Sequence, residues 1–270
     1  MAGLTFTVKS APGERLNASA LIPGMLATLP RHDIAALPVG SSKRNLTVGD
    51  VFEISGEPGD TVTIVPGDAV VDFAGAALDC GTVIVEGKAG AYAGRKMLGG
   101  KLVIRGDAGN YLASGLSGGM IHVTGSAGDN LGGVLPGDRF GMIGGTVVVG
   151  GDIGARSGDK MRRGTVIVKG KTGPGAGTRM IGGTIWAEGG LGVDPGYMMR
   201  RGTLIGPSVE RLLPTFADCG RHDLLILRIM AKYLKATLGD LAPKPMPLFV
   251  QRIAGDMSTI GKGEILLPAG

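Results

Sequence analysis

Glycine recurs at a fixed spacing of 19 residues through the middle of this chain. Seven glycines open successive repeat units, and the one departure from the period is a longer unit between Gly119 and Gly145. The seven are Gly81, Gly100, Gly119, Gly145, Gly164, Gly183 and Gly202. A fixed period of about 20 residues is typical of solenoids, in which one short unit stacks on the next. We therefore expect a stack of similar layers, one of which carries an insertion of seven residues.

Each unit begins with a short strand and continues through glycine-rich turns. Gly164–Gly170 shows the strand part most plainly, as Gly-Thr-Val-Ile-Val-Lys-Gly. β-Branched residues between glycines are typical of strands, and the unit leaves no room for a helix. Parallel pairing between successive units, with the right-handed crossover that proteins prefer, predicts a right-handed parallel β-helix.

Side chains alternate along each strand, so two sets of residues face opposite ways. The set expected to fill the interior is Val83, Leu102, Ile121, Val147, Val166, Ile185 and Leu204, together with Val85, Ile104, Val123, Val149, Val168 and Ala187. The other set, here called the outward column, is Ile84, Val103, His122, Val148, Ile167, Trp186 and Ile205. An apolar strip of this length is larger than a soluble monomer usually exposes. We expect either the C-terminal helix or another subunit to cover it, and its seven residues are the candidate partner contacts.

A second set of glycines follows each strand. Its members are Gly90, Gly109, Gly128, Gly154, Gly173 and Gly192. Corners that need positive φ or close backbone stacking explain these glycines, and a phosphate-binding loop is the alternative.

Two further columns repeat. Met97, Met142, Met161, Met180 and Met199 share one position, with Leu116 in the gap, and a buried methionine ladder is a better explanation than a metal site. The cations beside it, here called the basic edge, are Arg95, Lys96, Arg139, Lys160, Arg162, Arg163, Arg179, Arg200 and Arg201. Cations stacked at about 4.8 Å repel each other unless an anion meets them. A solvated edge, an acidic partner and an acidic coenzyme tail remain open, with Arg162, Arg163, Arg200 and Arg201 as the candidate cofactor-binding residues.

Composition limits the class of protein. The 270 residues are 43% hydrophobic with a net charge of +5, and the few aromatic residues form no stacking pattern for nucleic acid. The two cysteines allow no disulfide framework. The N-terminus lacks a signal-peptide pattern, and no apolar run has the length of a membrane span. We therefore expect a cytoplasmic protein that binds neither nucleic acid nor membrane.

The two ends of the chain lack the repeat. Residues 1–58 are expected to form an N-terminal cap, residues 59–206 the β-helix, and residues 207–270 a C-terminal helix and extended tail. Strands are predicted near Leu4–Lys9, Val51–Ile54 and Thr61–Val65. The pattern from Asp223 to Leu238 predicts a largely apolar helix that ends at Gly239 and is buried against the stack and against a second protein.

Catalytic and metal-binding motifs fail on spacing. Gly170-Lys171-Thr172 lacks the spacing of a phosphate loop, and Gly173–Gly177 is too short for a dinucleotide fingerprint. The three histidines His32, His122 and His222 have no metal-ligand spacing. The hexapeptide period of acyltransferases and the acidic cleft of pectin-cleaving helices are also missing. No catalytic residue and no metal ligand is therefore predicted.

The repeat units resemble the glycine-rich C-terminal domain of the glutamate synthase large subunit. A closer resemblance, covering almost the whole chain, is to the C-subunit family of formylmethanofuran dehydrogenase. It includes the repeat from Gly81 to Gly206 and the flanking segments Asn45–Phe52, Leu212–Phe216 and Gly261–Leu266. Overall, the chain is most similar to the bacterial branch of that family, the formyltransferase/hydrolase complex.

The resemblance implies a subunit without an active site in a complex of one-carbon metabolism. In the bacterial branch, which serves formaldehyde oxidation, the complex transfers a formyl group from a tetrahydromethanopterin carrier to a methanofuran-type coenzyme and hydrolyses it to formate. The implied partners are an amidohydrolase-like hydrolase subunit, a formyltransferase subunit and a dehydrogenase-B-like subunit, with no cofactor bound by this chain. The alternatives are the C-subunit of a tungsten or molybdenum formylmethanofuran dehydrogenase, and a structural module like that of glutamate synthase.

Overall fold

The computed structural model describes residues 3–40 and 44–269. Within these ranges the chain is mostly β, with one long helix near the C-terminus. The strands are β1 Gly3–Val8, β2 Leu16–Asn17, β3 Phe52–Gly56, β4 Thr61–Val65, β5 Val71–Asp72, β6 Thr82–Val85, β7 Lys101–Ile104, β8 Met120–Val123, β9 Ile143–Val149, β10 Arg163–Val168, β11 Thr184–Ala187, β12 Leu191–Val193, β13 Arg201–Ile205, β14 Val209–Arg211, β15 Ala217–Asp223, β16 Phe249–Gly255 and β17 Lys262–Pro268. The helices are α1 Pro23–Leu26, α2 Arg31–Ala36, α3 Val48–Val51 and α4 Leu225–Leu238, followed by a 3-10 turn at Gly239–Leu241. Parts of the expected end segments, Met1, Ala2, residues 41–43 and Gly270, lie outside the described residues.

One large sheet organises the described chain. Its strands follow the order β15-β16-β17-β13-β11-β10-β9-β8-β7-β6-β4-β1-β3. From β4 to β13 each neighbouring pair is parallel. The register aligns residues one repeat apart, as in Val83 with Leu102 and Leu102 with Ile121. The strand of each repeat unit therefore pairs with the strand of the next.

The insertion leaves this register intact. Ile121 of β8 pairs with Val147 of β9 across the longer unit. The backbone amide of Met142 donates to the carbonyl oxygen of Gly132 at 2.7 Å, which closes the base of the loop. Comparison with the neighbouring units places the extra residues at 135–141, outside the strands. We call these seven residues the insertion.

The predicted core is confirmed. The residues expected in the interior of the repeat are fully buried, namely Val83, Val85, Leu102, Ile104, Ile121, Val123, Val147, Val149, Val166, Val168, Ile185, Ala187 and Leu204. The methionine column is fully buried as well, with Leu116 in its gap. A second line of parallel bridges joins the units at Ala89, Ala108, Ala127, Ile153 and Thr172.

Antiparallel strands close both ends of the parallel stack. At the N-terminal end β1 pairs in parallel with β4 and antiparallel with β3. At the other end β17 pairs in parallel with β13, and β16 and β15 follow antiparallel. The predicted strands near β1, β3 and β4 are confirmed, and β17 lies in the tail that was expected to be extended. No pattern in the sequence predicted β15 and β16.

The two glycine sets serve different geometries. Gly164, which opens a unit, has φ of +100°, and a Cβ there would lie 2.6 Å from Cε of Met142. Gly173, from the second set, has no positive φ, but its Cβ would lie 2.6 Å from the carbonyl carbon of Gly154 in the previous unit. The first set thus supplies positive φ and the second close backbone stacking. Neither geometry was assigned to a particular set from the sequence.

Non-glycine residues also adopt left-handed conformations at fixed positions of the turn. Tyr92, Tyr111, Lys96, Lys160 and Arg179 have φ between 52° and 62°. The rings of Tyr92 and Tyr111 stack with centroids 5.7 Å apart. Left-handed backbone disfavours L-residues, so glycine content alone does not reveal these turn positions.

Candidate functional site

The outward column is divided into two parts. Ile84, Val103 and His122, in its N-terminal part, are half-buried. The C-terminal part is buried to 2% exposure or less and comprises Val148, Ile167, Trp186 and Ile205. In β17, Leu266 pairs with Ile205 and extends the column by one more buried residue.

The chain itself covers the C-terminal part. The four buried residues form one cluster with Leu227 and Leu234 of α4, Val250 of β16 and Leu266 of β17. For these four positions the chain's own helix, rather than another subunit, provides the cover. The predicted partner contacts therefore reduce to Ile84, Val103 and His122.

A polar clamp holds the segment after α4 against the sheet. The Lys169 ammonium donates to the carbonyl oxygen of Ala242 at 2.7 Å and pairs with Glu188 at 3.3 Å. The same Glu188 carboxylate accepts from the backbone amide of Lys244. Lys169 and Glu188 occupy one repeat position on neighbouring units, so the repeat supplies both halves of the clamp.

α4 has a second apolar face that remains exposed. The helix begins at Leu225, two residues after the expected Asp223, and ends before Gly239 as predicted. Its exposed apolar side chains are Leu225 at 59%, Ile226 at 60%, Ile229 at 55% and Tyr233 at 64%. Arg228 and Lys235 pair with Asp223 and Asp240. The helix thus presents an uncovered apolar stripe next to cations.

His122 lies where the outward column changes from half-buried to buried. Burial, together with the nearby Lys101 ammonium, lowers the pKa of His122 below its usual value. The neutral imidazole therefore predominates at neutral pH, consistent with its place between Val103 and Val148 in the strand pairing.

Parts of the basic edge are neutralised within the chain. Asp138 of the insertion pairs with Arg95 at 3.5 Å and with Lys96 at 3.1 Å. Buried Asp159 accepts from Nε of Arg179 at 2.8 Å and also pairs with Arg156 at 3.0 Å. The hydrogen bond to Asp159 raises the pKa of Arg179. Asp138 and Asp159 thus offset the repulsion between stacked cations, for which the sequence alone indicated no partners.

The four candidate anion-binding arginines differ from these. Arg162, Arg163, Arg200 and Arg201 are exposed. Within the described part of the chain none of the four has an ion pair, although Arg162 lies over the ring of Phe140 at 5.0 Å. Their donors are therefore free to meet an anion from outside the chain.

Polar side chains at another repeat position bond the next unit. Oδ1 of Asp107 accepts from the amide of Ser126 at 3.0 Å, Oγ of Ser126 from that of Asp152 at 3.1 Å, and Oδ1 of Asp152 from that of Lys171 at 2.7 Å. The hydrogen bond from Ser126 holds the pKa of Asp107 below its usual value. The side chains at this position thus stabilise the stack.

Residues 3–40 and 44–269 contain no metal-ligand cluster. No group of three or more His, Cys, Asp or Glu side chains in them is arranged to hold a metal ion. None of the helices in those ranges has the length and hydropathy needed to cross a membrane.

The insertion forms a surface feature that the sequence did not reveal. Leu98 and Ile143 are exposed beside Phe140 of the insertion. The only signal in the sequence was the irregular unit length between Gly119 and Gly145, which located the insertion without indicating what it contacts.

Comparison with known proteins gives a consistent result. No family model matches the chain. The chain is 48% identical over 256 residues to the Fhc C-subunit of the formyltransferase/hydrolase complex of Methylorubrum extorquens, covering 95% of this chain and 96% of that protein. It also matches a chain in the crystal structure of the formyltransferase/hydrolase complex FhcABCD from Methylorubrum extorquens in complex with methylofuran, with a TM-score of 0.91, 39% identity, and coverage of 98% and 100%. The chain therefore belongs to the C-subunit family of the formyltransferase/hydrolase complex.

Proposed function

We propose that this chain is a scaffold subunit, without catalysis of its own, in a formyltransferase/hydrolase complex. The complex would transfer a formyl group from a tetrahydromethanopterin carrier to a methanofuran-type coenzyme and release it as formate. The relationship to the Fhc C-subunit over 95% of the chain supports this assignment. The other subunits, of hydrolase, formyltransferase and dehydrogenase-B type, are the proposed partners. The cytoplasmic location expected from the sequence stays a prediction.

We also infer that the repeat units form a right-handed parallel β-helix. Parallel pairing in steps of one repeat, with a second line of bridges between the same units, supports this architecture. The division into a cap at 1–58, a β-helix at 59–206 and a C-terminal region at 207–270 is part of the same proposal.

The exposed stripe of α4 is the observation that carries the scaffold role. Four large apolar side chains, Leu225, Ile226, Ile229 and Tyr233, are each more than half exposed on one helix. Large exposed apolar patches mark protein–protein contacts, and tyrosine is enriched among residues that dominate binding. The helix covers the sheet with one face and, in this proposal, a partner subunit with the other. Ile84, Val103 and His122 would add to the contact.

Co-purification from a strain that expresses all subunits tests this role. The Ile229→Ser/Tyr233→Ser variant removes apolar contact area at two exposed positions, so the recovery of partner subunits is expected to fall at least about tenfold. The exposed residue Lys235 lies on another face of the same helix and provides the control, Lys235→Ser, which should retain wild-type recovery because its pair with Asp240 is solvent-exposed. If the double variant assembled as the wild type does, the proposed contact through α4 would be wrong.

A second candidate function is binding of an acidic coenzyme tail at the basic edge. The free donors of Arg162, Arg163, Arg200 and Arg201 favour it, because other cations of this edge already have carboxylate partners. Replacing all four arginines by alanine should lower coenzyme retention while the complex stays assembled. Unchanged retention in an assembled complex would exclude this function.

A further inference from the structure

The insertion is anchored in one position on the stack. It starts after Val134, whose amide donates to the carbonyl oxygen of Asp159 at 3.1 Å, and it ends before the buried Met142. Its carboxylate, Asp138, pairs with Arg95 and Lys96 of an earlier unit. The two residues that follow Asp138, Arg139 and Phe140, are therefore held in place.

A groove of about 330 Å³ lies beside the insertion. Leu98, Phe140 and Ile143 line it, together with Ser117, Lys96, Asp138 and Arg139. Leu98 is 63% exposed and Ile143 is 40% exposed. The groove thus combines apolar side chains that remain in contact with water, the Lys96–Asp138 ion pair and the cation of Arg139, which is unpaired among the described residues.

Two guanidinium groups share the ring at this groove. The Cζ atoms of Arg139 and Arg162 each lie 5.0 Å from the centroid of Phe140. In the described part of the chain neither has a carboxylate partner, since Asp138 pairs with Arg95 and Lys96 instead. Like charges this close, within about one Debye length, reinforce each other's field at the groove. An incoming carboxylate would meet Arg139, which lines the groove, and would also be attracted by the charge of Arg162 near the same ring.

We propose that this groove docks a segment of a partner polypeptide in which carboxylates flank an apolar side chain. The apolar residues decide in favour of a polypeptide, because a purely polyanionic chain would leave Leu98 and Ile143 in water. Arginine and aromatic residues are enriched where subunits bind. The volume suits one anchoring side chain, so the groove is a local contact within a larger interface.

The proposal rests on the proposed role as part of a complex, and the test uses the complete complex. In the Arg139→Glu/Arg162→Glu variant the charges that meet the carboxylates are reversed, so recovery of partner subunits should fall at least about tenfold at moderate salt. The exposed Lys9 and Lys262 have no ion pair in the described part of the chain and do not line the groove, and Lys9→Glu/Lys262→Glu makes the same charge change there. That control should assemble as the wild type does.

A photo-crosslinking amino acid in place of Leu98 identifies the occupant independently of these variants. The expected product joins this chain to one partner segment that contains aspartate or glutamate next to the attachment point. Normal assembly of the Arg139→Glu/Arg162→Glu variant would overturn the proposal. So would a crosslink to a segment without carboxylates, a crosslink to a coenzyme, or no crosslink in the assembled complex. Failure of the wild type to co-purify with other subunits would overturn the scaffold role itself, and this inference with it.

Discussion

The two parts of the outward column have similar side chains and different surroundings. Ile84 and Val103 lie half-buried on the N-terminal units, whereas Ile167 and Trp186 are fully covered by α4. The flanking ion pairs follow the same division: Arg105–Glu86 is solvent-exposed, and Lys169–Glu188 clamps the segment after the helix. The repeat gives successive units the same side-chain pattern. Their exposure differs because α4, which occurs once in the chain, covers only the C-terminal units.

The strongest test of this division is truncation at each part of the column. Trp186→Ala should lower the free energy of unfolding by about 3–5 kcal/mol, because it leaves a cavity between the sheet and α4. Ile84→Ala, on the half-buried part, should cost about 1 kcal/mol. Urea denaturation followed by circular dichroism measures both, since Trp186 is the only tryptophan and its fluorescence is lost in the variant. Equal losses would show that α4 does not distinguish the two parts.

The half-buried part can be tested for partner contact. Val103→Asp places a carboxylate in the middle of the proposed contact, and we expect recovery of partner subunits to fall by about tenfold or more because the charge loses its hydration there. Val103→Thr keeps the β-branched shape and should assemble nearly normally. Co-purification of all subunits is the measurement. Full assembly of the aspartate variant would remove Val103 from the interface.

The Lys169–Glu188 and Arg105–Glu86 ion pairs are expected to differ less in their effect on stability. Lys169→Ala removes a charged donor from Ala242 and Glu188 and should cost about 1 kcal/mol of α4 docking, measured as faster hydrogen exchange in residues 239–248. Arg105→Ala, at the same repeat position, should change stability by less than about 0.5 kcal/mol because its pair is exposed. Unchanged exchange in the Lys169 variant would mean that apolar contacts alone hold the helix.

The smallest expected effect is the titration of His122. Its pKa in the folded chain is lowered by burial and by Lys101, so the unfolded chain, with a histidine pKa near 6.5, binds the proton first as pH falls. The free energy of unfolding should be constant through neutral pH and decrease below about pH 6.5. His122→Val should remove that decrease, as measured by urea denaturation between about pH 5 and pH 7.5. The same pH dependence in both proteins would assign the titration to another group.

Strong local patterns made much of the sheet predictable. The alternation within Thr165–Val168 and its equivalents identified the buried residues of each unit, and the methionine column identified a further buried ladder. The end of α4 followed from Gly239, which has positive φ. Each of these features is determined within a short stretch of sequence, either by burial of one face of a strand or by a backbone conformation that glycine tolerates.

Features that depend on contacts between distant residues were not predictable. Asp138 pairs with Arg95 and Lys96, although it lies two repeat units after them in the chain. No residue close to either cation in the sequence indicates this pairing. β15 and β16 pair through a register that is not a continuation of the repeat. The same holds for the candidate site. The sequence identified the outward column but not which of its residues α4 covers.

The sequence by itself determined the period of the stack, the residues of its interior and the apolar character of its outward column, because each arises from spacing within one unit. Only the tertiary structure decided that α4 covers Val148, Ile167, Trp186 and Ile205, and that Lys169 and Glu188 hold the segment after the helix. It also decided that the insertion places Phe140 close to two arginines. These outcomes depend on where single-copy segments lie on the stack. Local preference does not specify that position, since the repeat offers many equivalent places and only the sum of packing and charge contacts distinguishes them.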